Sequence, residues 1–247
     1  MQVYVSRKFK FIYVRQPKSS STSILAAIKA MFCRNHVCSR NEFTRSLEMV
    51  NDSMWEQYFV FTAVRNPWNR IVSAYNMFKL FLRIRNPRNM TVPGPICSIP
   101  FTRFTEDVWQ LRTTCVIDNC CSYIRAGYNE FKADFVNGHV MQQAHAVFTP
   151  DGRSGMDFIA RTENISDDWN LIVQSIRARS GRIVQDYAIE NVNGVHPKDV
   201  PPHLEHKCLP PDVVALALFN ETTMRNIALQ FAMDVIQLKY LPNLTTQ

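Results

Sequence analysis

Lys18 is followed by five consecutive hydroxyl residues, Ser19, Ser20, Ser21, Thr22 and Ser23, and is preceded by Arg15 and Pro17. An ammonium, a guanidinium and a row of hydroxyl donors so close together suit a phosphate or a phosphosulfate. Upstream, the β-branched and aromatic run 9–14 predicts a buried strand that stops at Pro17. Downstream, Ile24, Leu25, Ile28 and Met31 recur at helical spacing and predict a helix over about residues 22–32. A strand that turns directly into a helix aims free backbone N–H groups and the positive helix end at that hydroxyl-rich turn. It is not a Walker loop, because the glycines are absent and Lys18 comes before the hydroxyls. Taken alone, the same serines read equally well as helix caps.

A second stretch shifts that balance. Residues 58–64 form another compact apolar strand, followed by Arg65-Asn66-Pro67-Trp68-Asn69-Arg70 and a helical run over residues 71–80. Pro67 suits the first turn of that helix, where its missing N–H costs nothing. Arg65 is thereby expected at the carboxyl end of a strand, where open α/β sheets place their ligands, with Ser73 about two turns into the helix. A guanidinium fork plus a hydroxyl grips a phosphate monoester well. Without the first motif, Arg65 and Arg70 would read as solvated surface charges.

The two motifs together resemble the paired signatures of sulfotransferases that use 3′-phosphoadenosine 5′-phosphosulfate (PAPS). Arg15-Gln16-Pro17-Lys18-Ser19-Ser20-Ser21-Thr22-Ser23 resembles the 5′-phosphosulfate loop, and Val64-Arg65-Asn66-Pro67-Trp68-Asn69-Arg70 through Ser73 and Tyr75 resembles the 3′-phosphate site. The form is closer to the Golgi-type carbohydrate enzymes than to the cytosolic phenol and steroid enzymes. Residues 156–169 and 231–240 are similar to two further segments of that family. The chain departs from the pattern where serine replaces a cysteine of the first loop, where Ala160 replaces a glycine, and over residues 81–135, which match weakly.

The resemblance implies an α/β fold with a three-layer, P-loop-like parallel sheet flanked by helices. It also implies a single domain over 1–247 that moves a sulfuryl group from PAPS to a carbohydrate hydroxyl in line, releasing 3′-phosphoadenosine 5′-phosphate (PAP), with no metal. It casts Lys18 as the charge beside the leaving oxygen, Arg15, Pro17 and Ser19–Ser23 as the rest of the 5′ cradle, and Arg65 and Ser73 as the 3′-phosphate site. The family's general base is a glutamate or histidine some twenty residues past the loop cation; His36 and Glu42 both stand there, and neither is preferred by the sequence. His139 and His145 are weaker candidates, since residues 138–143 resemble a segment lining the acceptor cleft. Arg161 and Glu163 read slightly better as a structural ion pair. Rival readings are a catalytically silent PAPS- and glycan-binding relative, a sulfotransferase for tyrosine or small alcohols, and a nucleotide kinase with a degenerate loop. The kinase is disfavoured by the missing glycines and the lack of a clear magnesium-binding acid.

Composition agrees with that reading. The 247 residues are 46% hydrophobic, enough for a full core, and the formal charge of +7 implies anionic partners. The basic residues are scattered and no nucleic-acid motif is present; a polyanionic nucleotide with an acidic glycan acceptor fits the charge equally well, and no nucleic-acid partner is expected. No apolar run reaches membrane-spanning length and no signal peptide is legible, so membrane attachment would need an anchor outside this chain and a cytoplasmic location stays open. Five glycosylation sequons, at Asn51, Asn89, Asn164, Asn220 and Asn243, lean instead toward a glycoprotein of the secretory lumen, with Asn164 a chance match inside a family segment, and the resemblance implies that this lumen is the Golgi. Seven cysteines permit disulfides and leave one over, and Cys33, His36 and Cys38 lack the second ligand pair a metal site needs.

Periodicity places the remaining elements. Helices are expected over 42–50 and 101–111, a loop over 84–100, a strand at 157–160, a helix capped by Ser166, and one final helix over about 221–238.

Overall fold

The computed structural model describes residues 2–33, 43–45, 50–84, 101–106, 138–184, 187–189 and 219–240, with side chains of residues 77–84 excepted. Its backbone groups into two compact units, one formed by Met1–Arg65 with Gln143–Val192, the other by Asn66–Gln142 with Asn193–Gln247.

The first unit is built on a five-stranded sheet of β1 (Gln2–Ser6), β2 (Phe11–Arg15), β3 (Thr44–Arg45), β4 (Phe59–Val64) and β5 (Phe158–Arg161), in the order β3-β1-β2-β4-β5. β2, β4 and β5 run parallel, with Val14 opposite Thr62 and Ala63 opposite Ala160. β1 is antiparallel to both β2 and β3. Every residue of β4 is buried, as expected of a central parallel strand covered on both faces.

One face carries Phe11, Tyr13, Phe61, Ala63 and Ala160, packed under α1 (Ser21–Phe32) and a helix at Ile165–Ser180 through Ile24, Ile28, Trp169 and Ile172. The other carries Val3, Val5, Ile12, Val14 and Val60, covered by Met54 and Trp55 of α2 (Asp52–Gln57) and by Met156. Helix, sheet and helix make the three layers expected of the α/β class, with antiparallel strands added at one edge.

The second unit holds α3 (Pro67–Ile84), with Pro67 as its first residue. Asn66 caps it, its Oδ1 accepting from the N–H of Trp68 at 3.0 Å. Residues 101–106 are helical, and the rings of Tyr75, Phe101 and Phe104 cluster with centroids 5.1–6.4 Å apart. Four more helices follow along the chain: α4 (Ala144–Val147) and α5 (Ile165–Ser180) in the first unit, then α6 (Glu221–Gln230) and α7 (Ala232–Gln237) in the second.

Several expectations are corrected. Residues 2–6 form a strand of their own, and the run predicted at 9–14 becomes strand only from Phe11, because Lys10 turns with φ 50° to close the hairpin. Thr44–Arg45 is a strand where a helix was expected, and the helix begins after Asn51, whose Oδ1 accepts from Met54 N–H at 2.9 Å. Asn164, not Ser166, stands at the start of α5, and the Asp168 carboxylate reaches back to the Arg161 N–H at 2.6 Å. The final helix is interrupted at Phe231, whose ψ of 29° leaves the helical range while its ring stays buried. Residues 84–100 and 107–111 of the predicted loop and helix lie outside the described residues, apart from Ile84 in α3.

Tyr13 is fully buried and its hydroxyl has no partner among the described residues. Burial raises its pKa far above the ordinary tyrosine value, with the Arg15 charge opposing. The buried hydroxyl without a partner is a cost at neutral pH, and because burial disfavours the phenolate, stability falls further once pH climbs above about 10, where the unfolded chain ionises. Tyr13→Phe should therefore stabilise the protein by about 1 kcal/mol at neutral pH and flatten its alkaline unfolding above pH ~10, both measurable by thermal melts.

Candidate functional site

Lys18 and Ser20 lie between the end of β2 and the start of α1, and both have left-handed backbone, φ 68° and 52°. Neither is glycine, so the turn carries strain of roughly 1–2 kcal/mol per residue. Ser20 is the residue before α1 and its side chain makes no capping hydrogen bond. Simple capping therefore does not explain the hydroxyl run. Its Oγ is buried without a partner among the described residues, as are Nε of Arg15 and Nε2 of Gln16. Three donor-bearing groups without acceptors in six residues are a setting for an acceptor-rich anion.

The helix start agrees. α1 has no acidic residue in its first turn, whereas α5 fills its own with Asp167 and Asp168. An acid there would compensate the positive helix end; without one, an external anion gains that interaction. Residues 1–41 contain no aspartate or glutamate but eight lysines and arginines. This charge asymmetry was available from sequence and points to the same turn.

The predicted cradle residues divide by environment. Ser19, Ser21 and Ser23 are buried, Pro17 and Lys18 half-buried, and Thr22 exposed. Ser19 donates its hydroxyl proton to Oε1 of Gln143 at 2.7 Å. Arg15 donates through Nη1 to Oε1 of Gln2 at 2.6 Å, across the β1–β2 pair.

Arg65 follows the last residue of β4, as its position in the sequence implied. Its guanidinium Nη1 lies 3.5 Å from the carbonyl oxygen of Lys18, a weak contact that brings the two predicted anion turns together. The Arg65 backbone is held at both ends by Gln143: its N–H donates to Oε1 at 2.8 Å and its carbonyl accepts from Nε2 at 2.8 Å. Thr62 ties the strands just before both turns, its Oγ1 donating to the Val14 carbonyl at 2.6 Å. Gln143 is the site residue that sequence reading did not single out.

Ser73 belongs to the second unit, half-buried on α3. In that unit Arg70 is not a surface charge: it is buried and donates through Nη1 to the Met141 carbonyl at 2.6 Å. His139 is half-buried in the second unit and His145 exposed on α4. His36 and Glu42, the two candidates for the base, lie outside the described residues. Cys33 is disulfide-bonded, which removes its thiolate from any metal site, and no metal-binding group occurs among the described residues.

A mixed sheet, a strained lysine–serine turn and an arginine at the next parallel strand set two basic turns side by side at adjoining strand ends. The chain matches the model of the Sulfotransferase family over residues 1–211, and it belongs to that family. Sulfuryl transfer is thus its general chemistry. Comparison with curated proteins and with solved structures finds no match. The family match stops before α6 and α7.

Ser20 separates stability from binding. Ser20→Gly should relieve the left-handed strain and raise stability by about 1 kcal/mol, while removing a hydroxyl from the anion turn. Melting temperature should rise by a few degrees while phosphoadenosine affinity, read by calorimetry, falls several-fold.

Proposed function

We propose that this chain transfers a sulfuryl group from PAPS to a hydroxyl of a carbohydrate acceptor. The observation that carries the reading is the approach of the Arg65 guanidinium to the Lys18 carbonyl, 3.5 Å, at the ends of two adjacent parallel strands. Two basic turns at that spacing suit a ligand with anionic groups at both ends. The donor groups of Arg15, Gln16 and Ser20 that lack partners among the described residues fit such a ligand.

PAPS supplies an activated sulfuryl group: the acceptor oxygen bonds to sulfur, the S–O bond to the 5′-phosphate breaks, and the acceptor proton leaves to a base. The Lys18 turn binds the 5′ end, where a positive charge neutralises the departing phosphate oxygen. Arg65 binds the 3′-phosphate and so separates this nucleotide from ATP or AMP. His36 or Glu42 takes the acceptor proton, a role worth roughly 10²–10⁴-fold. The carbohydrate acceptor rests on the resemblance to Golgi-type enzymes. A Golgi location is supported by the Cys33 disulfide and by the exposed sequon residues Asn51 and Asn220. No helix among the described residues is long and apolar enough to cross a membrane.

The test is to offer ³⁵S-labelled PAPS with desulfated polysaccharides, a tyrosine peptide and simple phenols. Label on a polysaccharide supports the proposal; label only on peptide or phenol overturns the acceptor, and binding without turnover favours the silent relative. Lys18→Ala should lower kcat by about 10²–10³-fold, the scale of a lost charge-stabilising donor. Arg65→Ala should leave AMP affinity nearly unchanged while removing the preference for PAP over AMP. Equal binding of ATP and PAP by the wild type would refute the 3′-phosphate role.

A further inference from the structure

We propose that Gln143 is a positioning residue that sets the spacing of the Lys18 and Arg65 turns, so that the two ends of the nucleotide bind cooperatively. The inference rests on the reading of those turns as two halves of one nucleotide site. Gln143 is fully buried and lies 124 residues from Ser19 and 78 from Arg65 in sequence. It stands just before α4 but does not cap it with its side chain. The amide goes instead to the two turns.

The direction of that amide is set by its partners. An Arg65 N–H can only donate and an Arg65 carbonyl can only accept, so Oε1 must face the first and Nε2 the second. Oε1 then has one further lone pair, and the Ser19 hydroxyl fills it at 2.7 Å. Ser19 sits between the two left-handed residues Lys18 and Ser20. One neutral side chain thus grips the centre of the strained turn with one atom and the root of Arg65 with two.

Side-chain chemistry narrows what could replace it. Asparagine is one carbon shorter. Glutamate could accept from Ser19 and the Arg65 N–H, but its second oxygen would face the Arg65 carbonyl, and its charge would stand beside two turns meant for anions. Glutamine alone of the natural side chains supplies acceptor and donor at this length without charge. A group that ties both turns transmits order from one to the other, since an end already held leaves less to be fixed at the second.

The experiment compares wild type, Gln143→Ala and Gln143→Glu by calorimetry with three ligands: PAP, adenosine 5′-phosphate and adenosine 3′-phosphate. In Gln143→Ala, PAP affinity should fall by about tenfold or more and each monophosphate by about threefold or less, a gap of the size usual for coupled sites. Gln143→Glu keeps the two accepted bonds and serves if the alanine variant does not fold. Simple charge repulsion adds over the two ends, so only lost coupling makes the PAP loss exceed the product of the two monophosphate losses. A PAP loss equal to that product, or equal losses for all three ligands, overturns the positioning role and leaves Gln143 as structural glue. Wild type that fails to prefer PAP over either monophosphate overturns the nucleotide reading itself, and this inference with it.

Discussion

Everything at the site depends on the parallel pairing of β2 with β4. Its register sets Val14 beside Thr62, so both strands end within a residue or two of each other. The turns that follow, one carrying Lys18 and the other Arg65, therefore leave the sheet side by side although 47 residues separate them. Parallel neighbours must be joined by a crossover, and α1 is part of the one that links these two strands. Its amino end consequently points from the same edge of the sheet. The hydroxyl of Thr62 on the Val14 carbonyl fastens this edge just where the chain leaves it.

That arrangement explains why strain is tolerated in the first turn. Left-handed backbone at Lys18 and Ser20 would be relieved by glycine, yet both positions carry side chains with donors. The strain is held by what surrounds it: Ser19 between them is buried and bonded to Gln143, and α1 behind them is anchored by Ile24, Ala27 and Ile28 in the main core. Residues kept in such conformations by their surroundings concentrate at functional sites. A turn whose only task was to begin a helix would be more stable with a serine in extended conformation bonding the helix N–H groups, as Asn220 does ahead of α6.

What sequence disclosed and what it hid follow the range of the interactions. β4, α1, α3 and the buried stripe of α5 were legible because hydrophobic spacing and Pro67 act within a few residues. The family resemblance added the link between the two turns, which no local pattern contains. β1 and β3 were missed because strands of five and two residues carry little periodic signal, and β3, at the sheet edge, exists only through its pairing with β1. The start of α5 was misplaced by one rule competing with another: Ser166 is a good cap by type, but Asp168 satisfies the Arg161 N–H from within the helix. Gln143 fell within the 138–143 segment but was given no role, for a simpler reason. It is an ordinary polar residue whose three partners all lie at least 78 positions away.

Two helix starts that follow strands of the parallel sheet in the first unit differ in their electrostatics. Both α1 and α5 follow a strand of the parallel sheet and both present a positive end. α5 carries Asp167 and Asp168 in its first turn, and one of those carboxylates already accepts a backbone N–H. Its field is compensated internally, by roughly the 0.3–1 kcal/mol that such acids contribute. α1 has no such acid, is preceded by Arg15 and Lys18, and leaves the Ser20 hydroxyl buried without a partner among the described residues. A protein selected for stability alone would place an aspartate there. Its absence over the first 41 residues keeps this end of the molecule positive, and a bound anion would supply the compensation that the chain withholds.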